Sequence, residues 1–370
     1  MLPRPLAPRR WYSPPIFRIT IVSSREQCRR FVATIRTDCI SAIRTRMGIK
    51  VLRFAGGLIA ALLFFPSVKC SAQSNTRAIV HIPTKSLTSM PLFFGKDKGF
   101  FTRENVDVDL VLMSPPTAIA ALVAGELDFS TTVGAGISAT MRGLPIKRIL
   151  YIQQYVTFAL MAAPEIKSVR DLIGKSVGAV ALTDATAIAA REIIKGNGVD
   201  PAAVNFFYTQ STESSRTALM SKKLAAAMLP PPFAEETQVR GFNRLADAKD
   251  YAPLSGIGLL ASSDTLKRNS IKALSVIRAV LRTMLYMREP KNHSELVDYI
   301  LRIHKIDSTV AAEALATVMA VYSKDGTKPR DAVQKEIDIY REALKITKPF
   351  TPEELEDMSH QRRAYEFLNR

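Results

Sequence analysis

The sequence predicts an α/β protein of two lobes, each a mostly parallel sheet flanked by helices. Three observations carry this. Residues 79–132 read strand–helix–strand–helix–strand, a second set of the same kind spans 163–250, and the chain beyond residue 264 is a series of amphipathic helices. In the first set, the apolar run 78–82 is a buried strand and 84–89 is a polar turn. A helix follows with Pro91 in its first turn, where a missing N–H costs nothing, and Gly99 closes it. Residues 106–112 alternate as a second strand. Ser114-Pro115-Pro116 breaks it and opens a helix over 117–124, capped by Gly125. The third strand, 129–132, runs into Gly134-Ala135-Gly136.

Residues 147–155 are a strand and 158–163 a further apolar run, between which the chain crosses to the second lobe. A turn and short helix at 168–175 lead into strand 177–180, and 182–186 open a helix that reaches Lys195 and stops at Gly196-Asn197-Gly198. Pro201 begins a turn before strand 204–208, and Gln210-Ser211-Thr212 lead into a helix over 214–221. Strand 225–229 is followed by Pro230-Pro231-Pro232 and a helix to Arg240, and 242–246 is a last short strand. Residues 256–261 return the chain to the first lobe. The two crossings make a hinge of near-parallel strands, which permits closure over a ligand. Residues 264–289 are expected to be helical throughout, with Ile271, Leu274, Ile277, Leu281 and Leu285 on one face and Pro290 as the stop. Helices over 293–303, 308–322, 331–344 and 352–368 are expected to cover the outside of the first lobe.

A chain of 370 residues has room for two real cores. Its net charge of +17 is uneven: residues 1–76 carry 13 Lys/Arg against 2 Asp/Glu, so +11 sits there and +6 on the rest. No Arg/Lys run with interleaved aromatics follows residue 76, so the charge reads as a basic leader rather than a nucleic-acid surface. Residues 47–72 have the pattern of a secretory signal: Lys50 and Arg53, an apolar stretch over 54–65 too short to span a bilayer, and Cys70-Ser71-Ala72 as a small-x-small cleavage site. Lys69 before Cys70 argues against a lipid anchor. Residues 1–46 are a basic leader with no assigned role, as an upstream start would give. All three cysteines, Cys28, Cys39 and Cys70, precede Gln73, so an exported chain from there has neither a disulfide nor a thiol nucleophile.

The residues offer little for catalysis. His81, His293, His304 and His360 have no metal-ligand spacing, and His81 reads as a structural histidine inside the first strand. There is no GxSxG, no phosphate-binding GxxxxGK[ST], and no GxGxxG after a strand, and Glu235-Glu236 reads as a solvated helix face. No catalytic, metal or cofactor residue is expected. Loops after strands are more productive, since ligands of open α/β sheets sit at the carboxyl ends of strands. In the first lobe these loops carry Lys85, Ser86, Leu87, Thr88, Ser114, Thr132, Val133 and Gly134. In the second they carry Thr183, Asp184, Ala185, Thr186, Gln210, Ser211 and Pro231, with Tyr155 at the crossing. Helix N-termini with unpaired N–H groups suit sulfonate, carboxylate or phosphate, and the Ser/Thr hydroxyls add hydrogen bonds. Each hydroxyl alone reads equally as an N-cap.

The segments PLFFGKDKGFF (91–101), the SPP turn with its alanine-rich helix, AGELDF, SVRDLIGKSVGAV, VDPAAVNFFY, KKLAAAMLPPPF and GLLASSDTLKRN together resemble the substrate-binding proteins of ABC importers. The likeness is to the SsuA-like group that handles alkanesulfonates, nitrate, taurine and thiamine-pyrimidine precursors, over residues 77–292. It implies a type II periplasmic-binding-protein-like fold, with lobe I at 77–160 and 252–370 and lobe II at 161–251. It also implies a periplasmic monomer that binds a small molecule and meets a permease and an ATPase. The segments matching the group's ligand contacts are 86–88, Ser114, 132–134, 183–186 and the corner from Pro231 to Phe233. Asp184 departs from the small hydroxylated turn of anion-binding members: it would repel an anion, cap its own helix, or hold an amine or ring N–H. Lys85 pulls toward an anion, and Tyr155 and Phe233 toward an aromatic ligand, so the ligand's charge stays open, with an anionic or aromatic solute expected. Two alternatives remain: a sensor for a membrane signalling partner, and an enzyme like the pyrimidine-precursor synthases of the same fold. The latter depend on a cysteine-rich segment that the chain after Gln73 lacks.

Overall fold

Two five-stranded sheets organise the chain in the computed structural model, which describes residues 75–369. The expectations for residues 1–72 lie outside the described residues. The first sheet begins with β1 (Thr76–Ile82), β2 (Val106–Leu112), β3 (Phe129–Ser130) and β4 (Ile146–Tyr151). The second is β5 (Ala159–Ala162), β6 (Ser176–Ala179), β7 (Asn205–Tyr208), β8 (Ala226–Leu229) and β9 (Asn243–Asp247), and β10 (Gly258–Ser262) then completes the first. The strand orders are β2-β1-β3-β10-β4 and β7-β6-β8-β5-β9. In each sheet four strands run the same way and the fourth in order runs against them: β10 is antiparallel to β3 and β4, and β5 to β8 and β9. Those two odd strands are the ones the chain enters on crossing from one sheet to the other, which is why each lobe carries one reversed strand.

The crossing segments lie side by side: the amides of Ile152 and Gln153 donate to Ile257 O (3.1 and 2.9 Å), and Val156 N to Leu254 O (2.9 Å). They run in opposite directions, not near-parallel as expected, since one carries the chain out and the other brings it back.

Helices α1 (Met90–Asp97), α2 (Phe100–Arg103), α3 (Pro115–Ala124) and α4 (Val133–Met141) follow the strands of the first lobe. Helices α5 (Ala185–Gly196), α6 (Thr212–Met220) and α7 (Phe233–Val239) follow those of the second. The third strand, expected over 129–132 and running into Gly134-Ala135-Gly136, ends at Ser130, and those glycines belong to α4. Its glycines are there for close approach. A Cβ on Gly136 would lie 2.3 Å from Leu260 Cδ1 on β10. Tertiary packing thereby overrides the low helix propensity of VGAGISATM.

After β10 come α8 (Ser263–Arg268), α9 (Ser270–Arg288), α10 (His293–His304), α11 (Ser308–Met319), α12 (Arg330–Leu344), α13 (Pro352–Leu355) and α14 (Ser359–Leu368). The expected single helix over 264–289 is broken at Asn269 (φ −126°), where α8 ends. Ile271 is 83% exposed, while Ala273, Val276, Ile277, Val280, Leu281 and Met284 are buried against α1 and the first sheet. Phe94 of α1 meets the edge of Tyr299 at 4.8 Å, so the amphipathic faces of α1, α9 and α10 close one aromatic-centred core. Nor does the tail stay on the first lobe. Val333, Ile337 and Tyr340 of α12 share one apolar cluster with Val133 and Ile137 of α4 and Ile188 and Ile193 of α5. Among the described residues no helix is long and apolar enough to cross a membrane.

A buried charge cluster ties this tail to the crossing. Glu336 of α12, fully buried, accepts from the Ser255 amide (2.6 Å) and hydroxyl (2.7 Å), and pairs with Arg148 of β4 (3.2 Å) and Lys328 (3.4 Å). Arg148 also reaches Glu356 (3.3 Å), whose carboxylate accepts from the Tyr151 hydroxyl (2.6 Å). Burial opposes charge on Glu336, but Lys328, Arg148 and the Ser255 donors outweigh it and hold the carboxyl below its usual range. The cluster was not visible in the sequence, because apart from Lys328 and Glu336 its partners lie 73 to 208 residues apart.

Two predictions follow from the packing. Glu336→Gln leaves Arg148 and Lys328 buried with too little negative charge. Urea unfolding should show a loss of about 3–5 kcal/mol, and a loss under about 1 kcal/mol would contradict the assignment. His81 is fully buried in β1, with Ser130 Oγ at 2.9 Å from Nδ1 and Met113 O at 3.1 Å from Nε2. Burial pushes it down to about 4, against the pull of the Met113 carbonyl. A folded value below the unfolded one means full stability above about pH 6.5, lost as pH falls toward 4. His81→Gln should remove about 3 kcal/mol of that acid-linked loss.

Candidate functional site

The carboxyl ends of the two sheets face each other across a cavity of about 60 Å³. The lobes touch around its rim. Thr84 Oγ1 donates to the Glu213 carboxylate (2.6 Å), Leu87 N to Pro231 O (2.9 Å), and Ser138 Oγ to Thr183 O (2.7 Å). At the centre α4 and α5 point their N-termini at one another. A Cβ on Gly134 would lie 2.6 Å from the Ala185 amide nitrogen and 2.4 Å from the Tyr340 hydroxyl. Glycine is required there because backbone, not a flexible side-chain end, fills the space.

The two helix ends differ. Asp184 caps α5: its Oδ1 accepts from the amides of Thr186 (3.1 Å) and Ala187 (3.2 Å) and from the Thr186 hydroxyl (2.7 Å). Burial pushes its carboxyl up to about 6, despite those hydrogen bonds. Thr132 at the start of α4 makes no side-chain cap bond; the Val133 amide donates to Thr131 O and the Gly136 amide to Thr132 O (3.0 Å each), which leaves the Gly134 and Ala135 amides as the unpaired donors of this turn. Such amides carry partial positive charge, which the Asp184 carboxylate faces from the other lobe.

Of the residues expected from sequence, Thr88, Thr132, Val133, Gly134, Asp184, Ala185 and Thr186 line the cavity. The others do not. Lys85 is exposed, Leu87 is buried in the first-lobe core, and Ser86 is buried with its hydroxyl 2.7 Å from that of Thr88. Ser114 bonds Thr117 (2.8 Å) and leaves the adjoining Pro115 to form the wall. Thr183 contributes its carbonyl to the rim, and Pro231 does the same. Gln210 is exposed at φ +68°, its amide donating to Val180 O, and Ser211 caps α6 through the Ser214 amide. Tyr155 stands beside Lys328, 5.3 Å from the ring centre. Phe233 packs against His304 and under Arg216 in the second-lobe core, not as an aromatic wall.

The crossing segment supplies what sequence reasoning missed. Gln153, Val156, Thr157 and Phe158 line the cavity, as do Thr131 and Thr212. Gln153 and Thr157 sit where polar residues interrupt the apolar runs around the crossing, a signal present in the sequence but outweighed by the neighbouring aromatic Tyr155. Three lining atoms are buried without a hydrogen-bond partner: Thr131 Oγ1, Gln153 Nε2 and Thr157 Oγ1. Buried polar groups usually find a partner; of the twelve such atoms without one among the described residues, these three belong to residues that line this cavity. The cavity lining includes no Lys, Arg or His, and no group of three or more His, Cys, Asp or Glu among the described residues could hold a metal ion.

A family model described as "NMT1/THI5 like" matches residues 87–293. No curated protein matches the chain. Among solved structures, a Bordetella bronchiseptica RB50 protein aligns at 19% identity over 80% of this chain and 99% of its own, with a TM-score of 0.68. The nitrate-binding protein NrtA from Synechocystis PCC 6803 aligns at 12% over 79% and 89%, TM-score 0.65. The alkanesulfonate-binding protein SsuA from Xanthomonas axonopodis pv. citri, bound to MOPS, aligns at 13% over 79% and 97%, TM-score 0.62. At these identities the likeness is one of fold: two mixed sheets flanked by helices.

The contact between α4 and α5 makes a direct prediction. Gly134→Ala should push the two N-termini apart and lower the melting temperature in calorimetry, at a cost of about 1–3 kcal/mol. An unchanged melting temperature would mean the lobes do not meet there in solution.

Proposed function

The chain belongs to the NMT1/THI5-like family, and from that premise we propose that it is the periplasmic solute-binding component of an ABC importer. It takes up a small solute between its lobes, closes, and offers the closed form to a permease with its ATPase. The observation that carries this reading is the set of three unpartnered polar atoms, Thr131 Oγ1, Gln153 Nε2 and Thr157 Oγ1, buried at a cavity between two lobes joined by paired crossing segments. A solute supplies the missing hydrogen bonds. An unmade bond at a buried polar atom costs about 1–3 kcal/mol, so satisfying these atoms favours the closed, loaded form.

The crossing segments are the hinge in this reading. Their mutual backbone hydrogen bonds keep them together, while the lobes also meet through the rim bonds of Thr84, Leu87 and Ser138 and through the apolar cluster that α4 and α5 share with α12. The two hydroxyl–carboxylate pairs at the cavity are structural: Thr84 with Glu213 joins the lobes at the rim, and Thr186 with Asp184 belongs to the cap of α5. The cavity's one ionisable side chain, Asp184, is engaged in capping α5. Binding without covalent chemistry is therefore the function these side chains support.

The test is ligand-linked stability. The solute, at a hundredfold excess over its dissociation constant, should stabilise the purified protein by about 2.7 kcal/mol, read as a rise in melting temperature. Thr131→Val should weaken that solute about tenfold without lowering the stability of the empty protein. Turnover of the solute by the purified protein alone would contradict the reading.

A further inference from the structure

The charge of the cavity decides which solutes it accepts. The inference rests on the solute-receptor reading and sharpens it. No cationic side chain lines the cavity, and Lys85, the nearest candidate in sequence, is exposed. The one ionisable lining group is the Asp184 carboxylate. Its bonds to the Thr186 amide and hydroxyl and to the Ala187 amide all fall on Oδ1, which leaves Oδ2 with the capacity to accept a donor from a solute. With its carboxyl held near 6 it is charged above neutral pH. An anion in this space would meet a carboxylate with only the first-turn amides of α4 to offset it.

The unpartnered atoms state a complementary demand. Gln153 Nε2 is a donor and needs an acceptor on the solute. Its own carbonyl oxygen is turned to the Ile257 amide at 3.4 Å, and its side chain lies within 2.3–3.0 Å of where a Cβ on Gly256 would stand, so the amide is held in place by the crossing. The hydroxyls of Thr131 and Thr157 can donate or accept, and Asp184 Oδ2 only accepts. A solute that satisfies all four carries at least one acceptor and at least one N–H or O–H donor. Apolar walls from Val133, Val156, Phe158 and Ile257 surround these atoms. The space, about 60 Å³, is well below the roughly 150 Å³ that admits a benzene ring.

We propose that the cleft selects an uncharged solute of a few heavy atoms bearing adjacent hydrogen-bond donor and acceptor groups, of the primary-carboxamide class, and rejects the isosteric anions. Gln153 donates to the solute carbonyl, and Asp184 Oδ2 accepts from its N–H. An oxyanion of the same size satisfies Gln153 but has no donor for Asp184 and adds a like charge beside it. This sets the chain apart from SsuA bound to MOPS and from the nitrate-binding NrtA, whose fold it shares.

The test is a matched-pair titration of the full chain at pH 7.5, followed by melting temperature. The pairs are acetamide with acetate and propionamide with propionate, with nitrate and methanesulfonate as further anions. At least one amide should raise the melting temperature and bind at least about tenfold more tightly than its acid. Gln153→Leu, which keeps the packing on Gly256, should weaken that amide about tenfold. Asp184→Asn should shrink the preference over the acid. An anion that binds more tightly than its amide, and is lost on Thr131→Val, overturns the inference and leaves the solute-receptor reading standing. Silence from every amide also overturns the inference. Silence from the anions as well removes the receptor reading with it.

Discussion

Everything in the cleft depends on a carboxylate that water never reaches. Glu336 joins three parts of the chain: β4 through Arg148, the returning crossing segment through Ser255, and the tail through Lys328. With Glu356 the cluster holds two cations and two anions, so it is neutral as a whole and each member is intolerable alone. Replacing the whole set by apolar side chains need not cost stability. Removing one member does. What the ions specify is position. Ser255 is held by both its amide and its hydroxyl, one residue before Gly256 and two before Ile257, which wall the cavity. A fixed crossing also fixes Gln153, which lies against Gly256.

The same arrangement explains the division of labour between the helix ends. Both α4 and α5 follow a strand and direct their N-termini into the cleft. Asp184 spends the donors of α5 on its own cap, so that lobe contributes an acceptor. Thr132 leaves the first turn of α4 uncapped, so that lobe contributes donors. The close meeting at Gly134 and Ala185 brings the two helix ends to one cavity and keeps that cavity small. Helix α12, packed on α4 and α5 together, places Tyr340 behind that meeting point and ties the tail to both lobes.

How much of this could be read from the sequence follows from how local each signal is. Strand β2 was legible because VDVDLVL alternates, and α5 because its cap, its apolar face and its terminal glycines are contiguous. Half of the cleft was legible for the same reason: turns after strands carry their own chemistry, as at 132–134 and 184–186. Helix α4 was not, since its glycines answer to Leu260 and Ala185, far away in the chain. The face of α9 was half legible: Ile277 and Leu281 are buried as expected, whereas Ile271, in the first turn after Asn269, is exposed. Tyr155 and Phe233 misled because an aromatic side chain suits a ligand wall and a core equally well. Here Tyr155 stands beside Lys328, and Phe233 lies in the second-lobe core. Gln153 and Glu336 needed the tertiary structure outright: one is a polar residue in an apolar run, the other one acidic residue among many on an amphipathic helix.

The central claim is that two lobes close on a solute about the paired crossing segments while the Ser255 anchor of the crossing stays in place. Hydrogen exchange with and without the solute that raises the melting temperature tests it most directly. Amides of 131–135 and 183–187 should exchange more slowly with the solute present, while the Ser255 amide, held by Glu336, should be equally protected in both states. Protection that appears away from the cleft, or a Ser255 amide that opens and closes with the solute, would contradict the account.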